Sequence, residues 1–465
     1  MIKSFSAFEY NQDTSFSVAD FVYEGDCNNG WTISRNREHY LSLPSGYELL
    51  ESLICGICST DIVRHQLPFP LPQIIGHEIV GRYNNQNVVV DINAAHKHIG
   101  QENNCQYCSI GLENHCPNRL TLGIDRLPGG FSPYILVPKY SLINVPDDFD
   151  LRLASIVEPF AAALHAVESE TIKDGDNVAV VGPRRLGGLL LLALSLWREK
   201  NNKSFTITAI IRNESLVELC DLAGADEIVN TNTMKPKKYD VVFDTTGSVS
   251  GLELSLSLVK RTVHLKSTNG LAFNGLTHLT QMVVSEMRLL PMNEKSFSTI
   301  KQVLAMGRRK ILVDNKLDQE LINRLCKFPM AEITIIDADL EIDAHQIKYQ
   351  NRFDIAIAAS TEFVNAVVSN RQSISLLKPL GDVYLDPDVL TESILSSALS
   401  RGVGISTSRC GDFNKAIQLL SCNLAFATLF IERFVSDVMS AENLPEAFAH
   451  AKNDSQAVKV LIKHT

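Results

Sequence analysis

No stretch of this sequence stays apolar long enough to cross a bilayer. The longest such run, GGLLLLALSLW at 187–197, falls well short of the roughly 20 residues a spanning helix needs. The opening MIKSFSAFEYNQDTSFSV has no basic segment followed by an apolar one, so no secretory leader is expected. Positive charge is scarce: 43 Lys and Arg stand against 53 Asp and Glu, a formal net charge of -10. That balance argues against a general surface for nucleic acid or anionic membrane, which needs clustered Lys and Arg. The ten cysteines are scattered apart from one cluster and suggest no disulfide framework. The expected setting is the reducing cytoplasm, with the clustered thiols reserved for metal.

What is present is an ordinary globular composition, 45% hydrophobic and 21% charged over 465 residues, enough for a sizeable core and more than one domain. Up to about residue 150 the chain is a series of short β-type runs punctuated by Gly, Pro and Asn: GYELLESLIC, NVVVDIN, GGFSPYILVP, YSLINVP. Such strands predict a small barrel or sandwich. From about 175 the texture changes. NVAVVG, FTITAIIR, YDVVFDTTG and RTVHLKST read as strands, separated by helical stretches such as RLGGLLLLALSLWRE and ESLVELCDLAG. Alternation at this length predicts a parallel, doubly wound sheet.

Residues 291–400 echo the segment before them. RKILVDNKLDQELINRLC resembles TITAIIRNESLVELC, and RFDIAIAASTEFVNAVV resembles KYDVVFDTTGSVSGLEL. LGDVYLDP stands for RTVHLKST, and LTESILSSALSRGVGIST for LTHLTQMVVSEMRLLP. Four units in the same order predict a partial tandem duplication. The copy has no glycine-rich turn ahead of its first strand, so it lacks the element that binds a dinucleotide pyrophosphate.

Three blocks carry ligand chemistry: CGICSTD (55–61), GHE (76–78) and VEPFAAALHAV (157–167). Together they offer a thiolate, an imidazole and carboxylates, and a catalytic zinc takes three such ligands with one position left open. A second cluster, HIGQENNCQYCSIGLENHC, spaces Cys105, Cys108 and Cys116 as thiolate ligands, but a closed structural site wants four donors. Between strand and helix, VVGPRRLGG (180–188) matches G-x-G-x-x-G only at Gly182 and Gly187, with Arg184 in the middle place. A side chain there should hold a pyrophosphate off, or its guanidinium should itself meet a phosphate.

In this order the blocks resemble the zinc-dependent medium-chain dehydrogenases/reductases, especially the sorbitol and threonine dehydrogenase branch. The resemblance covers about residues 45–290 and 401–465. It implies Cys58, His77 and Glu158 as ligands of a catalytic zinc, with Glu78 beside the metal and able to exchange with it. Thr60 would pass a proton from the bound alcohol, and Asp61 would orient His77. The family often places a relay His five residues after the catalytic Cys; Val63 stands there instead, and His65 is the nearby substitute. In the cysteine lobe the family pattern C-x2-C-x2-C-x7-C puts Glu102 in the first place, ahead of Cys105, Cys108 and Cys116, with His96, His98 and Asp91 in reserve. Arg126, a loop residue in GIDRLPGG, is a candidate for meeting an anionic or polyhydroxyl substrate but reads more simply as solvent-exposed.

The dinucleotide set is expected to be Gly182, Arg184, Leu186, Gly187, Arg212, Asn213 and Thr245. The second strand ends in Ile211 and Arg212 rather than an acidic residue, which favours NADP over NAD. The fold expected is α/β: a GroES-like β-rich catalytic domain (1–168, completed by 425–465) and a Rossmann doubly wound parallel sheet (169–290). Residues 291–400 form an inserted α/β partial repeat, and 401–424 supply the last Rossmann strand and a connecting helix. The activity implied is hydride transfer between an alcohol or polyol and NAD(P) by a cytoplasmic enzyme. Its partners would be a small-molecule substrate, without nucleic acid or membrane, in a homodimer or homotetramer. The competing reading is a zinc-binding, non-catalytic relative that acts as a binding or assembly protein.

Overall fold

The computed structural model describes the chain except residues 236, 268, 269, 271, 306, 308, 339–348, 370–374, 391 and 465. Thr268 and Thr391, within two of the echoed segments, therefore lie outside the described residues.

The β-type runs become strands because they alternate buried and exposed side chains. β1 (Ile2–Tyr10), β2 (Phe16–Asp26), β3 (Gly30–Arg35) and β4 (Glu38–Leu43) form an antiparallel sheet of their own in that order. The first 43 residues thus have a sheet of their own, which shares one core with the second sheet. It is anchored by aromatic packing, with Phe16 meeting Phe448 edge-on at 4.9 Å between centroids.

The second sheet contains β5 (Tyr47–Gly56), β6 (Glu78–Tyr83) and β7 (Gln86–Val90). β8 (Asn93–Ala94) and β9 (Leu120–Thr121) pair as a short ribbon at the two ends of the cysteine lobe. β10 (Tyr134–Pro138) and β11 (Leu142–Asn144) return to the second sheet. The nucleotide half adds β12 (Asn177–Val181), β13 (Thr206–Ile211), β14 (Glu227–Asn230), β15 (Tyr239–Asp244), β16 (Val259–Leu265) and β17 (Arg288–Pro291). The insert adds β18 (Arg309–Asp314), β19 (Ala331–Ile336), β20 (Phe353–Ala358) and β21 (Leu377–Leu385), followed by β22 (Gly404–Thr407). Finally β23 (Val435–Ser440) and β24 (Lys459–Lys463) extend the second sheet, β24 running antiparallel to β5. The tail thus brings Lys459 next to Gly56, close to the metal-ligand blocks.

The parallel strands are apolar on both faces, as a sheet covered by helices on two sides requires: Val178, Val180, Ile207, Ala209, Val241 and Phe243 are all fully buried. The first half and its echo join in one sheet of eleven strands, ordered β14-β13-β12-β15-β16-β22-β17-β21-β20-β18-β19. Every pairing is parallel except the central one, β17 with β22, where Leu289 faces Ile405. The two halves therefore meet edge to edge about a local pseudo-twofold.

They have also exchanged strands. β17 follows β16 in the chain yet pairs with β21, while β22 follows β21 yet pairs with β16. This shifts one detail of the echo. β18 resembles β13 by sequence, but it lies between β20 and β19, the place β12 holds in the first half. The turn after β18 is thus the counterpart of VVGPRRLGG. It ends on the buried Asp314, whose carboxylate accepts the amides of Lys316 at 3.0 Å and Ala359 at 3.0 Å. A carboxylate in that crevice opposes a phosphate group.

Candidate metal centre and nucleotide turn

Cys58 sits at the end of β5 and caps the one-turn helix Ser59–Ile62. Asp61, in that helix and fully buried, accepts the Cys58 amide through Oδ2 at 2.9 Å. Its other oxygen lies 3.1 Å from His77 Nδ1. A proton held on Nδ1 by the carboxylate leaves Nε2 as the free lone pair, the arrangement metal-ligating histidines favour. His77 follows Gly76, whose backbone is left-handed (φ +96°), and a Cβ there would come within 2.9 Å of the Phe131 ring.

Glu78 opens β6 and is buried, in an ion pair with the equally buried Lys459 of β24. Gly56 makes room for it: a Cβ at that position would stand 2.1 Å from Glu78 Oε2. Ligand atoms of Cys58, His77 and Glu78 all lie within 4.8 Å of one another. Thiolate, imidazole and carboxylate donors so grouped fit zinc.

This differs from the expected ligand set in one place. Glu78, not Glu158, stands with Cys58 and His77. Glu158 lies in the first turn of helix Val157–Glu168. Burial pushes its carboxyl up to about 7, with Glu78 adding to the shift and His77 and Lys459 opposing it. Glu78 enters from β6, where Gly56 stands opposite it on antiparallel β5, while Glu158 comes from the helix and lies near enough for the charges of His77, Glu78 and Lys459 to act on it. Thr60 lies in the same one-turn helix, half-buried. His65 Nδ1 is 3.2 Å from the Tyr10 hydroxyl of β1, and Val63 ends the turn.

The cysteine lobe also gathers a different fourth donor. His96, Cys105, Cys108 and Cys116 have ligand atoms within 4.8 Å of one another, with His96 Nδ1 at 3.3 Å from Cys116 Sγ. Glu102 is exposed in the short turn Glu102–Asn104 and is not in that group. Linear spacing assigned it the missing place, but the fold returns the chain through β8 and β9 and so aligns His96 with the three thiols. His98 and Asp91 face each other instead, Nε2 to Oδ2 at 3.6 Å.

At the nucleotide turn Gly182 is left-handed (φ +79°), and a Cβ on it would come within 2.8 Å of Thr246. A Cβ on Gly187 would stand 2.5 Å from Thr245 Oγ1. Thr245 donates to the carbonyls of Val181 and Gly182, at 2.9 Å each. The two outer glycines thus keep the tight turn that a pyrophosphate cradle needs, and the helix Arg185–Lys200 begins there with Leu186 packed against the core.

Arg184 is held by the other half of the chain. Its guanidinium crosses to the catalytic half and donates to the carbonyls of Asp454 at 2.7 Å and Ala457 at 2.9 Å. Arg185, unremarked in the sequence, does the same. It donates to Val458 O at 3.1 Å, to Ala451 O, and to the Ser59 hydroxyl at 3.3 Å beside Cys58. The carbonyls left over at the end of helix Leu444–Asn453 are thereby satisfied by cations, as a helix C-terminus prefers. Arg212 is exposed after β13, and Asn213 is engaged in accepting the Ser215 amide at 3.1 Å. Arg126 is exposed and pairs with Asp125 at 3.0 Å.

A family profile, the alcohol dehydrogenase GroES-like domain, matches residues 45–147. The chain is 29% identical over 218 residues to an L-threonine 3-dehydrogenase of Pectobacterium atrosepticum, and 31% over 220 residues to one of Shewanella loihica. Those matches take in 43% of this chain and 57% and 60% of the relatives, so the chain spans less than two thirds of their length. Among solved structures, L-idonate 5-dehydrogenase from Escherichia coli superposes with a TM-score of 0.56 at 17% identity, covering 99% of both chains. An alcohol dehydrogenase from Thermotoga maritima gives 0.54 at 14% identity, covering 99% of this chain and 100% of that one. A zinc-binding dehydrogenase from Sinorhizobium meliloti, solved with NADP, gives 0.53 at 17%, covering 99% of each. Residues 45–147 thus match the alcohol dehydrogenase GroES-like domain, and the chain as a whole shares the fold of these dehydrogenase structures.

Proposed function

We propose that this chain is a zinc-dependent dehydrogenase that transfers hydride between a secondary alcohol or polyol and NAD(P). The observation that carries the reading is the convergence of Cys58, His77 and Glu78 beneath Ser59, which Arg185 of the nucleotide turn touches. Zinc held by these donors supplies Lewis acidity toward an alcohol oxygen, and a nicotinamide supplies the hydride acceptor. The chain's residues do the rest. Asp61 sets the tautomer and angle of His77. Lys459 balances the charge of Glu78. Thr60 is the hydroxyl that moves the alcohol proton, and Glu158 offers a further carboxylate from the first turn of its helix.

NADP is favoured over NAD, since Arg212 is exposed at the end of β13 where a carboxylate would repel the 2'-phosphate. The lobe of His96, Cys105, Cys108 and Cys116 is read as a structural zinc site. Thiols support a cytoplasmic setting: all ten cysteines are free, and among the described residues no single helix is long and apolar enough to cross a membrane. A homodimer or homotetramer built on the free side of β22 is disfavoured, because β17 already occupies that edge; assembly of copies would use another surface.

The test is an alcohol and polyol panel with NAD and NADP on zinc-loaded protein, alongside metal analysis. Turnover that vanishes in Cys58→Ala and after chelation supports the reading. Zinc bound at both clusters with no binding of either nucleotide, followed by nicotinamide fluorescence, would overturn it in favour of a non-catalytic binding protein.

A further inference from the structure

A turn that follows β16 is held by the insert. Phe273, Asn274, Gly275 and Leu276 close on themselves: the Phe273 amide donates to the Leu276 carbonyl at 2.9 Å and the Leu276 amide to the Phe273 carbonyl at 2.8 Å. Asn274 and Gly275 are both left-handed, at φ +45° and +84°, the combination a type I′ turn requires and Asn-Gly readily adopts. Helix Thr361–Val368 of the insert lies against this turn, so that a Cβ on Gly275 would stand 2.6 Å from Thr361 Oγ1. Asn365 of that helix grips the backbone at two points. Its Oδ1 accepts the Thr277 amide at 2.9 Å, and its Nδ2 donates to the Gly275 carbonyl at 2.7 Å.

The same turn walls the nucleotide crevice. Phe273 is buried and shares the lining of a small cavity with Gly247, Ser248, Leu265 and Ser267. Gly247 and Ser248 belong to the loop after β15, whose Thr245 is bonded to Gly182 of the glycine turn, and Leu265 ends β16. In an open α/β sheet a ligand lies outside the carboxyl ends of the strands, where the strand order reverses. Here that point falls between β12 and β15. The adenosine ribose of a dinucleotide belongs at the end of β13, so the Phe273 turn, beyond β15 and against β16, stands on the nicotinamide side. The outer glycines, Gly182 and Gly187, leave room for the pyrophosphate between the two.

We propose that Asn365 is a positioning residue for the nicotinamide half of the nucleotide. The insert, which has no glycine-rich turn of its own, thereby sets one wall of the first half's crevice. The turn is rigid in itself, and the two hydrogen bonds of Asn365 select where it sits, so Phe273 is in place before a nucleotide arrives. A wall already in place spares the ordering cost of binding. Released from the helix, the turn would be competent only part of the time, and affinity would fall by that fraction. The adenosine half, on the far side of the switch point, gains nothing from the clamp. This inference rests on the dehydrogenase reading for its nucleotide.

Calorimetric titration of the full chain tests it, with NADPH against 2'-phospho-ADP-ribose, which lacks the nicotinamide, and NADH against ADP-ribose as a second pair. Asn365→Ala should weaken the reduced nucleotide about five- to tenfold and leave the fragment within about twofold of wild type. Asn365→Gln, which keeps both amide groups on a longer stem, should recover part of the loss. Hydrogen exchange on the wild type decides the matter even if a variant fails to fold: the reduced nucleotide should protect 273–277, and the fragment should not. Equal weakening of nucleotide and fragment in Asn365→Ala, or no weakening of either, overturns the clamp and leaves the dehydrogenase reading standing. So does equal protection of 273–277 by the fragment, or protection by neither compound when both bind. A wild type that binds none of the four compounds overturns both the clamp and the dehydrogenase reading.

Discussion

Lys459 and Glu78, 381 residues apart in the chain, form a buried ion pair directly beside the candidate zinc ligands Cys58 and His77. Lys459 also donates to the carbonyl of Ile57 at 3.3 Å, so the C-terminal strand closes the metal site. Removing one partner of such a pair strands a buried charge at a cost of about 3–5 kcal/mol. Lys459→Met should therefore destabilise the metal-free protein strongly. Zinc restores a positive charge beside Glu78, so the deficit should shrink on loading. Scanning calorimetry with and without zinc checks this; an equal loss in both states would show that Glu78 does not face the metal.

The lobe makes a prediction about stoichiometry. Wild-type protein should hold zinc at both clusters. His96→Ala should lose the lobe ion, whereas Glu102→Ala should keep it, as measured by elemental analysis of dialysed protein. The opposite pattern would restore Glu102 as the fourth donor.

Asp244 ends β15 with Oδ1 accepting from the amide and hydroxyl of Thr246, while Oδ2 is buried without a partner. Burial raises its pKa from 3.8 to about 6. The native state thus holds this proton more tightly than the unfolded chain does. The ionised carboxylate lowers stability above pH 6, and the penalty disappears as the pH falls through 6 towards 3.8. Asp244→Asn should stabilise the protein at pH 8 by up to about 3 kcal/mol, with little gain at pH 4. Thermal melts at the two pH values give the comparison.

Arg185 ties the nucleotide turn to the segment before β24 through Ala451 and Val458. Each charge-assisted bond is worth about 1.5–3 kcal/mol, less what water recovers. Arg185→Ala should lower stability by about 2 kcal/mol and speed amide exchange across 451–458 while leaving β12 protected. Uniform loss of protection would instead mean that the turn itself depends on the guanidinium.

Much of the architecture was legible in the order of local patterns. The strand–helix alternation from 175 and the GHE and CGICSTD blocks depend on residues close together in sequence. The echo of 291–400 was visible for the same reason, through matching periodicity in YDVVFD and FDIAIA. Periodicity does not say which sheet edge a strand will join. It therefore missed the exchange of β17 and β22, and it aligned β18 with β13 when the sheet puts it in the place of β12. Lys459 and Arg185 gave no local signal, because each acts through partners far away in the chain.

By itself the sequence determined the α/β class, the metal-binding vocabulary of thiolate, imidazole and carboxylate, and a dinucleotide turn kept tight by Gly182 and Gly187. These follow from residue type and short-range spacing, which a linear chain displays directly. Only the tertiary structure decided that Glu78 stands with Cys58 and His77, that His96 joins the three lobe thiols, and that the arginines of the turn bind the opposite half. A ligand set requires donor atoms converging on one point, and convergence is set by how strands pair across hundreds of residues. Glu158 and Glu102 have the right chemistry and sensible spacing, and the fold adds Glu78 and His96 as donors that already stand with the cysteines.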